Sequence, residues 1–312
     1  MVFATYVFGM TSVVLLRRSS ATNGKDTNLK LPQTATEWLV LAFTNSRFIG
    51  WGWERPMTRL AETRGAFLWR FAKDLVGALV ALDACHAYFA SNAWFSTDAP
   101  VHGIRLATLP IWEQAANALV WGVYAYVLWF LPYTILALVT VATRICGPED
   151  YPVLCAPFSE AYSVSRFWGK VWHQSHRNIY LALGDAICNF LWGRQYRPLA
   201  AKYVKVATAF GISAVVHAAG SLALRPHPVT GTRECSGALL FFVLQAIGVA
   251  FENAVCDQLR LRAPRWMGYV WVLVWGCSTL VLSGWLDEMV SRQSIAPADS
   301  AFLHIARTLR LF

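Results

Sequence analysis

Six apolar runs with few charges constrain this chain more than any other feature. They cover approximately residues 2–16, 75–94, 117–141, 206–224, 236–256 and 267–286. A helix needs about 20 mostly apolar residues to cross the hydrocarbon core of a bilayer. Inside that core a helix satisfies its own backbone hydrogen bonds. The expected fold is therefore all-α: a polytopic transmembrane helical protein. Composition agrees, with 56% hydrophobic and only 14% charged residues and a mean hydropathy of +0.40, whereas soluble domains carry roughly 25% charged residues. The 15 tryptophans suit the headgroup zone, which indole rings favour.

The formal charge of +9 follows the same logic. With the N-terminus away from the cytosol, the loops 17–74, 144–205 and 257–266 fall on the cytosolic side and hold 21 Lys and Arg, against 6 on the other side. That asymmetry is the positive-inside pattern and does not call for nucleic acid. Arg17 and Arg18 follow the first apolar run. A cleavable secretory signal carries its charge before that run, so residues 1–35 are expected to be an uncleaved anchor and polar linker. Residues 38–53 are too interrupted to span and are expected at the interface. Residues 179–192 are apolar but short and contain Gly184 and Asp185, which suggests a re-entrant or buried half-helix. The seven cysteines form no C-x-x-C pair and read as structural thiols, and no metal-ligand or phosphate-loop motif is present. No repeat of fixed period divides the chain, so residues 1–312 read as a single membrane-embedded domain.

Against this background the stretch SRFWGKVWHQSHRN, Ser165–Asn178, is unusually rich in polar and titratable groups. On a helix over 166–179, Phe167, Trp168, Val171, Trp172, Ser175 and Ile179 share one face. Lys170, His173, Gln174 and Arg177 share the other. An amphipathic surface helix with its tryptophans toward the membrane is expected. A plain interfacial anchor would need neither the histidine nor the glutamine. His176 falls off the cationic line.

A second feature lies in FGISAVVHAAG, Phe210–Gly220. His217 stands near the middle of an apolar run, with Ser213, Ala214, Gly220 and Ser221 on its face of the helix. An intramembrane titratable group is costly and points to function, and small neighbours allow a helix or a substrate to approach the ring. The alternative is a neutral histidine hydrogen-bonded across a helix interface. His86 follows Asp83 by three residues and reads as a local pair, while His102, His227 and His304 read as solvated.

FWGKVWHQ, Phe167–Gln174, resembles the F-W-x-R-R-W-H-Q signature of wax-synthase-like membrane-bound O-acyltransferases. FGISAVVHAAG resembles their second signature, which ends in an intramembrane histidine. SRFIGWGWE, Ser46–Glu54, is similar to the R-G-I-G-W-x-W stretch of the fungal secondary-metabolite branch. The signature's second basic residue is Val171 here, and the glycine before the second histidine is Ala214. The resemblance implies about six to eight membrane helices around a central tunnel, with the motif region over 144–220. It also implies transfer of an acyl group, often acetyl, from acyl-CoA as cosubstrate to a hydroxyl of a terpenoid or polyketide-derived acceptor, with no metal and no permanently bound cofactor.

Acyl transfer from a thioester to an alcohol needs a base, a stabilised oxyanion and a dry site. On this resemblance His217 is the expected base and His173 the group that positions the thioester or donates to the oxyanion. Lys170 and Arg177 are expected at the CoA phosphates, with Arg166, Arg194 and Arg197 in reserve. Gln174 and Asn178 are expected at the pantetheine amides, Trp168 and Trp172 at the cavity wall, and Ser213 beside His217. The endoplasmic reticulum suits such an enzyme. A wax ester synthase, a CoA-independent cyclase or isomerase using the same histidine, and a proton-coupled transporter remain open at this point.

Overall fold

A computed structural model describes residues 47, 49, 55, 57–95, 105–193, 198–223, 236–255, 263–291 and 300. Among these residues there is no strand. The main helices are α1 (Arg64–Ser91), α2 (Ile111–Ala142), α3 (Arg177–Trp192), α4 (Pro198–Ala223), α5 (Ser236–Asn253), α6 (Arg265–Ser283) and α7 (Trp285–Ser291).

Four of them, α2, α4, α5 and α6, are long and apolar enough to cross a membrane. Their outward side chains are apolar: Leu128 and Leu136 on α2, Val215 on α4, Val243 and Ile247 on α5, Leu273 and Val274 on α6. Apolar residues on the outside of an already packed bundle face lipid, and the chain is an integral membrane protein. The span expected at 75–94 is the later part of α1, where Asp74, Asp83 and His86 dilute the apolar run. His86 rests 5.8 Å from the ring of Tyr124 on α2. The runs 2–16 and 38–53 lie largely outside the described residues, as do Arg194 and Arg197.

The helices pack mainly with their neighbours in sequence. The start of α1 meets the end of α2, where Arg64 donates to the carbonyl of Ala142 at 2.7 Å. Phe67, Phe71, Ala137 and Val141 are buried there. At the other end Tyr88 donates to Asn117 Oδ1 at 2.7 Å. The pair is therefore antiparallel.

Helix α3 has 16 residues, too few to span, and runs unbroken through Gly184 and Asp185. Gly184 is needed for packing: a β-carbon there would sit 3.2 Å from Lys205 Cα on α4. Asp185 pairs with Lys205 at 2.6 Å and Arg55 at 2.5 Å, which compensates a carboxylate on a largely apolar helix.

Helices α4 and α5 share a core of Ala214, Ala218, Ala238, Phe241 and Phe242, to which Leu280 and Trp285 add. Gly284, in the left-handed region at φ 66°, ends α6 and turns the chain into α7. There Asp287 accepts from the Leu106 amide at 2.7 Å and Glu288 from the Gly237 amide at 2.9 Å. These bonds tie α7 to the start of α5 and to the turn before α2.

Helix α6 also meets the loop that leads to the motif region. Tyr269 donates to the Ser159 carbonyl at 2.7 Å, and a β-carbon on Gly268 would lie 2.1 Å from the Tyr162 carbonyl oxygen. Overpacking of this kind costs about 1–3 kcal/mol. Gly268→Ala is expected to lower the melting temperature in detergent. Gly276→Ala, on the same helix with nothing within 4 Å of the new carbon, is expected to leave it unchanged.

Candidate active site

The motif segment is not a continuous helix. It begins as one helical turn, Val164–Arg166, widens into a π-helical turn, Phe167–Val171, and becomes extended at Trp172, with φ −66° and ψ 150°. The π turn closes with the Trp172 amide on the Phe167 carbonyl at 2.7 Å. Such turns recur at functional sites. The expected surface helix over 166–179 is therefore corrected, and so is its tryptophan-down orientation. Trp168 faces the interior, beside Phe210, Phe241 and Phe242.

Contacts from distant parts of the chain break the helix. The Glu252 carboxylate, on α5, accepts from the amides of Val164 at 2.5 Å and Ser165 at 2.8 Å, and from the Trp271 indole at 2.8 Å. Ser163 Oγ accepts from the Arg166 amide at 3.0 Å. A carboxylate and a hydroxyl thus satisfy the free donors at the helix start. Two turns earlier on α5, Gln245 accepts from the Trp168 indole at 3.1 Å and donates to Thr279 Oγ at 2.8 Å. Gln174 donates to the carbonyls of Trp168 at 3.3 Å and Trp172 at 2.6 Å. The Gln174 amide meets the Leu154 carbonyl at 3.0 Å, and the Ala156 amide meets that of Lys170 at 2.9 Å. Gln245 and Glu252 were not among the expected site residues. Their seven-residue spacing on an apolar helix is the signal that could have found them.

The expected site residues separate into two groups. His173, Gln174, Trp168, Trp172, Ser213, His217 and Arg177 line one cavity of about 1090 Å³, to which all seven helices and the motif segment contribute. Lys170 does not line it. Its ammonium is 3.6 Å from Glu160, which also pairs with Arg166. Asn178 is buried and donates to the Arg47 carbonyl at 2.5 Å. Arg47 in turn donates to the carbonyls of Pro152 and Val153, each at 3.1 Å. Asn178 therefore binds the motif region to Arg47.

Three imidazoles line the cavity: His173, His176 and His217. His173 stacks on the Trp129 indole, with centroids 4.6 Å apart and planes at 23°. His176 stands edge-on to the same indole at 5.4 Å and 5.7 Å from His173. His217 stacks on Phe242 at 4.8 Å and meets the edge of Trp285 at 5.1 Å. One turn before His217, Ser213 Oγ donates to the Ala209 carbonyl at 2.9 Å and lies 3.3 Å from the Tyr180 hydroxyl. His173 Nδ1 is buried with no partner among the described residues. Removal from water pushes His173 down to about 3, with His176 and His217 adding to the effect, and pushes His176 down to about 4. Both rings are neutral at physiological pH, able to accept a proton at one nitrogen and donate a hydrogen bond from the other.

A polytopic helical membrane protein with a histidine-lined internal chamber is the class that fold and site define. Residues 151–244 match the family described as membrane bound O-acyl transferase. Among curated proteins, the chain is similar to the acetyltransferase eriL of Hericium erinaceus, 30% identical over 75% of this chain and 60% of that protein. It is also similar to the acetyltransferase aurG of Calcarisporium arbuscula, 29% identical over 77% and 62%. A third is the O-mevalon transferase yanI of Aspergillus niger, 26% identical over 82% and 63%. The chain thus spans about three fifths of the length of these relatives. No solved structure matches it.

The lowered values have a consequence for stability. An unfolded histidine takes up a proton near pH 6.5, whereas His173 and His176 in the folded chain do so only near 3 and 4. Below pH 6.5 the unfolded state binds more protons, so stability falls with pH. Between pH 7 and 5.5 the loss is about 1 kcal/mol per histidine. Melting in detergent over that range is expected to show a shallower pH slope for the His173→Phe/His176→Phe double variant than for the wild-type chain.

Proposed function

We propose that the chain is an O-acyltransferase that moves an acyl group, with acetyl the first candidate, from acyl-CoA to a hydroxyl of a hydrophobic secondary metabolite such as a terpenoid or polyketide. The supporting observation is the meeting of His217, from α4, with His173 and His176, from the motif segment, on one apolar-walled cavity. The family match and the names of the relatives support the reaction class. In this reading residues 1–312 act as one catalytic unit in the endoplasmic reticulum membrane.

His217 takes the hydroxyl proton as the alcohol oxygen attacks the thioester carbon. The new C–O bond forms, the C–S bond breaks, and the CoA thiolate leaves with the electron pair. His173 donates a hydrogen bond to the carbonyl oxygen, where negative charge develops. The aromatic walls exclude the water that would hydrolyse the thioester. No acyl-enzyme is required.

For the anionic end of CoA, the cavity-lining cations Lys73, Arg177 and Lys205, the last of them shared with Asp185, are better placed than Lys170, which does not line the cavity. Salt-bridging cations of this kind suit phosphate groups.

Microsomes containing the chain, supplied with labelled acetyl-CoA or palmitoyl-CoA and a panel of hydroxylated terpenoids and long-chain alcohols, are expected to form an ester whose mass exceeds that of the alcohol by the acyl group. A product of unchanged mass formed without CoA would instead mark an isomerase. His217→Ala is expected to cut turnover on the order of 10²–10⁴ with insertion intact, and wild-type turnover in that variant would remove His217 as the base. The Arg177→Ala/Lys205→Ala variant is expected to raise KM for acyl-CoA more than that for the alcohol, and Lys170→Ala to leave both near wild type. The reverse pattern would move the phosphates to Lys170.

A further inference from the structure

The third imidazole has no part in the reaction written above. His176 occupies the residue before α3, with φ −103° and ψ 2°, in the sparsely populated bridge region where many active-site residues sit. Helix starts favour Ser, Thr, Asp or Asn, whose side chains bond to the free amides. His176 makes no such bond. Its ring is instead held by aromatic faces. It stands at 88° to Trp129 and lies over Tyr180 at 6.0 Å and 30°. No hydrogen bond from its ring is found among the described residues. A ring set by these aromatic contacts lines the cavity, where a nitrogen can meet whatever enters.

His173 uses the same indole. Trp129 carries one imidazole flat on its face and the other against it at right angles, which fixes the two rings 5.7 Å apart and at 79° to each other. Two neutral imidazoles so held carry one N–H donor each on the wall of the apolar chamber. His217 reaches that chamber from a different helix.

We propose that His176 is a catalytic residue: beside His173 it donates a hydrogen bond to the thioester carbonyl oxygen, making a two-imidazole oxyanion site opposite His217. The assignment rests on the acyl-transfer reading. As the alcohol oxygen bonds to the carbonyl carbon, the π pair of the carbonyl moves onto its oxygen, and the hydroxyl proton passes to His217. The oxyanion is held by the N–H groups of His173 and His176, and neither gives up its proton. Collapse restores the C=O bond, breaks C–S and releases the thiolate, which takes the proton from His217. Atoms and charge balance without a further reactant.

The test compares His176→Phe, which keeps an aromatic ring without a donor, with His176→Gln, which restores an N–H of similar reach. Both are measured with acetyl-CoA and the panel alcohol that the wild-type membranes turn over fastest. The phenylalanine variant is expected to lose on the order of 10² in kcat, with KM for acetyl-CoA within about threefold of wild type and an unchanged melting temperature in detergent. The glutamine variant is expected to recover at least about tenfold of that loss. Should the phenylalanine variant fail to insert, His176→Leu carries the same comparison. Wild-type kcat in the donor-free variant would overturn the assignment, and so would equal impairment of the donor-free and glutamine variants. In both outcomes the wild-type membranes still transfer acetyl, so the acyltransferase reading survives. Wild-type membranes that transfer no acyl group to any alcohol would overturn both.

Discussion

Backbone that leaves the helix inside an apolar protein must find a partner for every N–H and C=O, and the site depends on how this chain meets that demand. An unpaired backbone group away from water costs free energy comparable to a lost hydrogen bond, so irregular structure survives at such positions only where protein or a water-filled cavity surrounds it. The segment from Ser163 to His176 meets the condition with side chains from elsewhere. Glu252 holds the first amides, Gln174 folds back on the carbonyls of Trp168 and Trp172, and Gln245 fixes the Trp168 indole. Replace the irregular turn with a regular helix, and His173 and Trp172 rotate onto different faces.

Held in this way, the segment projects rings rather than charges into the chamber. Two cations of the motif point elsewhere: Lys170 and Arg166 converge on Glu160, and Arg166 stacks over the Tyr162 ring at 4.3 Å. The imidazoles stack on Trp129 and Phe242 instead of on ionised partners. Neutral rings in a low-dielectric chamber act as strong acceptors and donors because no water competes for them. The same removal from water that keeps them uncharged gives their dipoles weight on a polarising carbonyl.

The apolar runs showed the membrane helices α2, α4, α5 and α6 in the sequence, because lipid imposes length and composition locally. That His217 would not face outward was also legible, since an ionisable group in an apolar run is costly toward lipid, and it lines the cavity. The break at Trp172 was not. Residues 166–179 repeat with helical period, and the partners that end the helix, Glu252 and Gln245, lie more than seventy residues away. For the same reason His176 fell off the helical line on paper and faces the cavity in the fold. Asn178 was expected at the pantetheine amides, yet its hydrogen bond to the Arg47 carbonyl crosses a separation that no local pattern encodes. Helical periodicity records which residues share a face, and tertiary hydrogen bonds decide whether that face exists.

The central claim is that the turn after the π-helical segment and the middle of α4 act on the same reacting carbonyl. The most direct measurement is an electron cryo-microscopy structure of the purified chain with a ketone analogue of acetyl-CoA, in which a methylene replaces the thioester sulfur. The account predicts the ketone oxygen within hydrogen-bond reach of His173 or His176, and its carbonyl carbon accessible from the His217 side. A ketone seated outside the chamber, or a His217 ring turned toward the lipid while the analogue is bound, would contradict it.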